Sequence, residues 1–181
     1  MTARCLIALL LTFSASQASA ACDVDQMRAR AVQDIEVLRR AYARATDAIG
    51  RGDEGDLESG RATYRRVFTA DARIGADGIE GASKGPDAWL KVVADALGPM
   101  GPTQHLIGSQ LVEIDALETD ANCRVLSGAA RLDSYLQAWH TQADGKIWLF
   151  LGNYADKVIY APGAGWQISE TQLQRITEEV R

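Results

Sequence analysis

Residues 103–160 read TQHLIGSQLVEIDALETDANCRVLSGAARLDSYLQAWHTQADGKIWLFLGNYADKVIY. Three long runs rich in β-branched and aromatic residues lie within this stretch, at 105–114, 123–139 and 147–160. Runs of that composition are strands. The Ala143-Asp144-Gly145 turn joins the last two as antiparallel neighbours. Strands of a dozen or more residues cannot stay flat, so the sheet must twist and bend. Gly128 and Gly152 are the expected bulge points. Beyond the stretch, a Pro162–Gly165 turn leads to a last strand at 166–169, and the polar residues 170–181 predict a terminal helix.

Upstream, the spacing of apolar residues changes from two to three and four. Met27, Ala31, Ile35, Leu38, Tyr42, Ala45 and Ile49 form one apolar helix face that ends near Gly50 and Gly52. Asp23 and Asp25 suit its N-terminus through the helix dipole. A polar joint, RGDEGD, leads into a second helix over about 57–68, and 72–76 is a short strand. Pro86 opens a third helix that turns Trp89, Val92, Val93 and Leu97 inward and stops near Gly98. Helices followed by a connected meander define an α+β fold. Its sheet is strongly curved and antiparallel, with the N-terminal helices over the concave face and a conical cavity between them. Such a cavity, with apolar walls and a few polar groups, suits a small molecule.

The chain has 181 residues, 47% of them hydrophobic, with 19 basic and 24 acidic side chains. That length suits one domain. A net charge of −5 with scattered cations leaves no electrostatic footprint for nucleic acid. No apolar stretch is long enough to span a membrane. Residues 1–20 read as an export signal: Arg4 is the positive end, 5–13 the apolar run, and Ala18-Ser19-Ala20 the small-residue cleavage site. The expected domain is therefore 21–181, exported to the periplasm. A buried N-terminal helix is the plain alternative. A lipoprotein acylated on Cys22 is a second one, although Ser19 stands where a Leu-like residue is wanted. Cys5 leaves with the signal, so Cys22 and Cys123 are a candidate disulfide in an oxidising compartment. Closing a loop of roughly 100 residues stabilises by about 4 kcal/mol in the chain-entropy model. Two thiols without a Cys-x-x-Cys give no support to a metal site. Neither a Gly-x-Gly-x-x-Gly nor a Walker loop is present, so no cofactor is expected.

Three segments carry a family resemblance. Pro102-Thr103-Gln104-His105-Leu106-Ile107-Gly108 resembles the strand that bears a catalytic histidine in scytalone dehydratases. Tyr42-Ala43-Arg44-Ala45-Thr46-Asp47 resembles the end of their first helix. Gly152-Asn153-Tyr154-Ala155-Asp156, followed by Gly165-Trp166-Gln167-Ile168, resembles the last strand pair of SnoaL-like domains. The chain is thus similar to the SnoaL-like branch of the nuclear-transport-factor-2-like superfamily, with its cystatin-like α+β barrel. Within it, the chain resembles the branch of the scytalone dehydratases and hexachlorocyclohexane dehydrochlorinases. The resemblance implies an Asp–His pair, carried onto Asp47 and His105. A neutral imidazole can take a proton near pH 7. A carboxylate on its other nitrogen fixes the tautomer and stabilises the imidazolium. Elimination of water or halide, or a retro-aldol step releasing formaldehyde, can follow. Folds of this kind often pair through the outer face of the sheet, which leaves a homo-oligomer open.

The departures from the family pattern also matter. The family's second histidine falls near Ala130 or Arg131, its helix tyrosine at Thr46, and its strand tyrosine near Ala76. Asp47 lies about 180° from Leu38 on a helical wheel, opposite the apolar stripe, so a solvated aspartate is the plain alternative. Asp53 and Asp56 are expected to be solvated joint residues. His140 sits by a polar turn and is expected to be exposed and uninvolved. Tyr64, Trp89, Tyr135, Trp148, Phe150, Tyr154 and Tyr160 are candidates for the cavity wall. Four of these, Trp148, Phe150, Tyr154 and Tyr160, share a strand face by parity. An aromatic or cyclic small molecule is the expected ligand, touched by Tyr42, Trp89, Tyr135, Trp148, Asn153 and Tyr154. Arg131 is a candidate donor to it, or else a salt-bridge partner of Asp133 or Glu113. Two readings follow: a cofactor-independent lyase with His105 as base, or a non-catalytic module that binds a small molecule or a partner in the same cone.

Overall fold

The Asp23 side chain accepts hydrogen bonds from the Asp25 and Gln26 N–H groups and so opens helix α1, Val24–Arg51. The computed structural model describes residues 22–181, so the signal read in 1–20 lies outside the described residues. Gly52, at φ 77°, ends α1 in a left-handed turn. Asp53 caps α2, Glu54–Val67, through the Asp56 N–H. The chain passes without a loop into β1, Phe68–Ala76, so this strand begins at Phe68 rather than Ala72. A short edge strand β2, Ser83–Lys84, precedes α3, Pro86–Leu97. Four long strands complete the fold: β3 (Thr103–Thr119), β4 (Val125–Thr141), β5 (Ile147–Ala161) and β6 (Gly165–Val180).

Among the described residues the strands form one curved, unclosed sheet in the order β2-β1-β6-β5-β4-β3. β3 to β6 are the expected antiparallel meander, whereas β1 joins β6 in parallel. Residues 170–181 do not form the predicted terminal helix. Residues up to Val180 continue β6. The local sequence, rich in Glu, Gln and Arg, favours a helix, but β5 pairs with this segment up to Val180 and β1 adds a second partner at 170–173. The β5–β6 register shifts at Gly152, as a bulge requires. Gly128 has a different use: a Cβ there would collide with the Trp166 indole.

The helices lie on the concave face. Along 42–50 of α1 only Arg44 is exposed, because α2 and α3 cover one side and β3 the other. The apolar stripe thus widens to the full circumference, and a residue opposite Leu38 becomes an interior one. Gly50 permits this close approach, since a Cβ there would stand 2.7 Å from the Thr103 methyl. A Cys22–Cys123 disulfide, with Cα atoms 5.3 Å apart, ties the start of α1 to the β3–β4 turn. A sulfur in that bond is not available for a lipid thioether.

Candidate active site

Asp47 and His105 meet at the seam between α1 and β3. His105 Nδ1 lies 2.7 Å from Asp47 Oδ1, and the His105 backbone N–H donates to the same oxygen at 2.9 Å. β3 is the sheet edge, so the outward N–H of His105 has no strand partner, and the helix carboxylate supplies one. Both side chains are largely withdrawn from solvent, 8% and 16% exposed. An ionised carboxylate only accepts, so Nδ1 carries the proton and Nε2 is the basic nitrogen. The solvated-aspartate alternative for Asp47 is therefore not what the fold adopts.

His105 lines a cavity of about 330 Å³ between the helices and the sheet. Its walls are mostly apolar, with Trp89, Val93 and Leu97 from α3 and Leu136, Trp148 and Phe150 from the sheet. The expectation for His140 is overturned. It is 3% exposed, lines the same cavity, and stands edge-on to His105 at 5.2 Å between ring centres. It also stacks at a tilt on Trp148 at 4.8 Å, and its Nδ1 bonds Thr103 Oγ1 at 2.6 Å. Burial, reinforced by the nearby His105, pulls its pKa down to about 4, so it is neutral at pH 7. A second imidazole is thus present on the cavity wall. It is not at Ala130 or Arg131: the register sets Ala138 opposite His105 and His140 opposite Thr103.

A group of phenols lies at the helix side of the cavity. Trp89 Nε1 donates to Tyr42 Oη at 2.9 Å, and Tyr42 stacks on Tyr64 at 5.1 Å. Thr46 gives its hydroxyl hydrogen to the Tyr42 carbonyl, so Tyr64 donates to Thr46 at 2.7 Å. Burial raises the Tyr64 and Tyr154 phenols well above their ordinary pKa, and the adjacent Tyr42 adds to this. Both therefore keep their protons. Beneath Tyr42 and Tyr154 lies a fully buried Arg39, paired with Asp156 and donating to Thr171 at 2.9 Å.

Of the sequence-selected contacts, Tyr42, Trp89, Trp148 and Tyr154 line the cavity. Arg131, Tyr135 and Asn153 do not. Tyr135 and Asn153 are register partners on the outer face, where Tyr135 is 58% exposed and Asn153 Nδ2 donates to Gln174 at 3.1 Å. Adjacent strand residues point to opposite faces, so Asn153 cannot share the cavity with Tyr154, nor Tyr135 with Leu136. Arg131 takes the salt-bridge alternative, with Glu113 and also Asp115. Tyr160 packs on Trp166 away from the cavity, and Tyr64 is a buried support behind it. Asp53 is a helix cap and Asp56 pairs with Arg51. The overlooked residue, His140, shares parity with Leu136 and Ala138 on an inward face, a signal that was legible in the sequence.

A family model described as a SnoaL-like domain matches residues 27–172. No curated protein matches the chain in sequence. Among solved structures, a hexachlorocyclohexane dehydrochlorinase (LinA type 2) superposes with a TM-score of 0.65 at 17% identity, covering 88% of this chain and 93% of that one. A candidate scytalone dehydratase from Novosphingobium aromaticivorans gives 0.65 at 17% identity, covering 86% and 90%. A nuclear transport factor 2-like superfamily protein from Salmonella enterica gives 0.59 at 12% identity, covering 83% and 94%. At these identities the likeness is one of fold.

Proposed function

Because this chain belongs to the SnoaL-like domain family, we propose that it is an exported, cofactor-independent lyase acting on a small aromatic or cyclic molecule. His105 is the general base and Asp47 its orienter. In the reaction His105 Nε2 takes a proton from a substrate carbon, and the freed electron pair forms a double bond as halide leaves the neighbouring carbon, or as a hydroxyl leaves as water with the proton returned by the imidazolium. If the proton comes instead from a hydroxymethyl O–H, the C–C bond breaks as formaldehyde leaves, and the carbon that keeps the electron pair takes the proton back from His105. Asp47 holds the imidazole in the Nδ1–H form and stabilises the imidazolium. Tyr42, Trp89, Trp148 and Tyr154 contact the substrate. A homo-oligomer through the outer sheet face, where Leu106, Leu111, Tyr135 and Ile176 are each more than half exposed, belongs to the same reading.

One observation carries this reading: an Asp–His pair on the wall of an otherwise apolar cavity. A purely binding role gives no reason to hold a basic nitrogen there in a fixed tautomer. The test is turnover of a panel of cyclic and aromatic halides, alcohols and hydroxymethyl compounds. His105→Ala should lower kcat/KM by about 10²–10⁴-fold, the usual share of a positioned base. Asp47→Asn should lower it at least about tenfold, through the wrong tautomer. Equal turnover by wild type and His105→Ala would leave only the binding module.

A further inference from the structure

Strand β6 carries an extra residue where it passes the cavity. Gly152 pairs with Arg175 and Leu151 with Thr177, so Ile176 is left without a partner and bulges. Residues three apart on a regular strand point to opposite faces. The bulge cancels this for Arg175 and Glu178. Both line the cavity, while Ile176 is turned outward and exposed. Arg175 Nη1 donates to Glu178 Oε1 at 2.7 Å. Among the described residues, Arg175 is the only lysine or arginine that lines the cavity. Its Nε–Nη2 edge has no acceptor among these residues. Asp77, also on this rim, has both oxygens occupied, by the Gln172 side-chain amide at 3.3 Å and the Arg175 backbone N–H at 2.9 Å.

This ion pair lies across the cavity from the base. His105 pairs with Ala138, Ala138 with Phe150 and Phe150 with Glu178, so one row of the sheet runs from the base to the rim. Three strand spacings separate its ends, roughly 14 Å along the sheet. The space between them is walled by apolar side chains, Trp89, Leu136 and Phe150 among them. We propose that the free edge of Arg175 anchors a carboxylate of the ligand, so that the substrate is an aromatic or cyclic acid whose carboxylate lies at the end away from the atom that meets His105. It rests on the cavity being the ligand site, as the lyase reading does, and narrows the substrate class. A planar carboxylate takes two parallel bonds from a guanidinium edge. An ammonium group could not repeat this on Glu178, whose Oε1 is already taken. Glu178 offsets part of the arginine charge and so tempers the attraction.

Equilibrium binding to the full chain tests this without any turnover. The probes are phenylacetate, phenylacetamide, which has the same shape without the charge, and phenethylammonium, which has the opposite charge. The wild type should bind phenylacetate about fivefold or more tighter than the amide, a gain limited by the half-exposed position of Arg175. Arg175→Gln should abolish this preference and change phenylacetamide by less than about twofold. Retained amide binding doubles as proof that the cavity is intact. Glu178→Gln keeps an acceptor for Nη1 but removes the opposing charge, and should strengthen phenylacetate by about threefold. His105→Ala should keep the preference, which separates this result from the loss of turnover in the lyase assay. The proposal is overturned if the wild type does not prefer phenylacetate to the amide, or if it prefers phenethylammonium. It is equally overturned if Arg175→Gln keeps the preference, if His105→Ala loses it, or if Glu178→Gln fails to strengthen phenylacetate.

Discussion

Asp47 accepts both the backbone and the ring N–H of His105 on a single oxygen, so the carboxylate fixes the strand position and the ring orientation together. His140 is the other half of this local design. It is neutral because it is buried, and the nearby His105 adds to this. This has a consequence for stability. The unfolded chain binds a proton at His140 near pH 6.5, whereas the folded chain does so only near pH 4. The contribution of neutral His140 is complete above pH 6.5 and is lost as pH falls through 4. Urea unfolding should show the wild type losing up to about 3 kcal/mol more than His140→Gln between pH 7 and pH 4. Parallel pH dependences in the two proteins would show that His140 is not held neutral. At this scale the sequence was only half legible. The Asp47–His105 pair followed from family-like motifs. Tyr135 and Asn153, by contrast, have the residue types of ligand contacts but the wrong strand parity, and the polar turn beside His140 masks its inward position.

Helix α1 positions Asp47 through its contact with β3, and that contact depends on Gly50. A methyl at Gly50 would crowd the Thr103 side chain, whose hydroxyl also holds His140. Gly50→Ala gains up to about 1 kcal/mol of helix propensity but overpacks the seam by about 1–3 kcal/mol. The expected net loss of about 1 kcal/mol should come with reduced activity. A variant that is more stable and fully active would show that the close approach is not needed. The helices were legible because their apolar spacing and their caps, Asp23, Asp53 and Pro86, are local signals. The end of β6 was not, because its strand state comes from a distant partner, β5, with β1 joining it only at 170–173. The early start of β1 is a case of the same kind: Phe68 pairs with Ile168, far away in the chain.

The disulfide acts on the molecule as a whole, joining two residues 101 apart in sequence and tying α1 to the far end of the β3–β4 hairpin. Its removal frees the unfolded chain more than it alters any native contact. Cys123→Ser, or reduction of the wild type, should lower unfolding stability by about 4 kcal/mol, measured by urea denaturation with and without reductant. A change well under 1 kcal/mol would mean that the bond does not form in the protein. Composition, periodicity and caps, read from the sequence alone, determined the α+β class, the three helices, the meander and the two cysteines available to pair. These are properties of short windows or of counts, and they survive without knowledge of what packs on what. Only the tertiary structure decided that Asp47 faces inward, that His140 joins the cavity, that Arg39 lies beneath Tyr42 and Tyr154, and that the C-terminal residues are a strand. Each of those depends on which distant element covers or pairs with it, and a helix buried all round or a strand held by a distant neighbour carries no local mark of it.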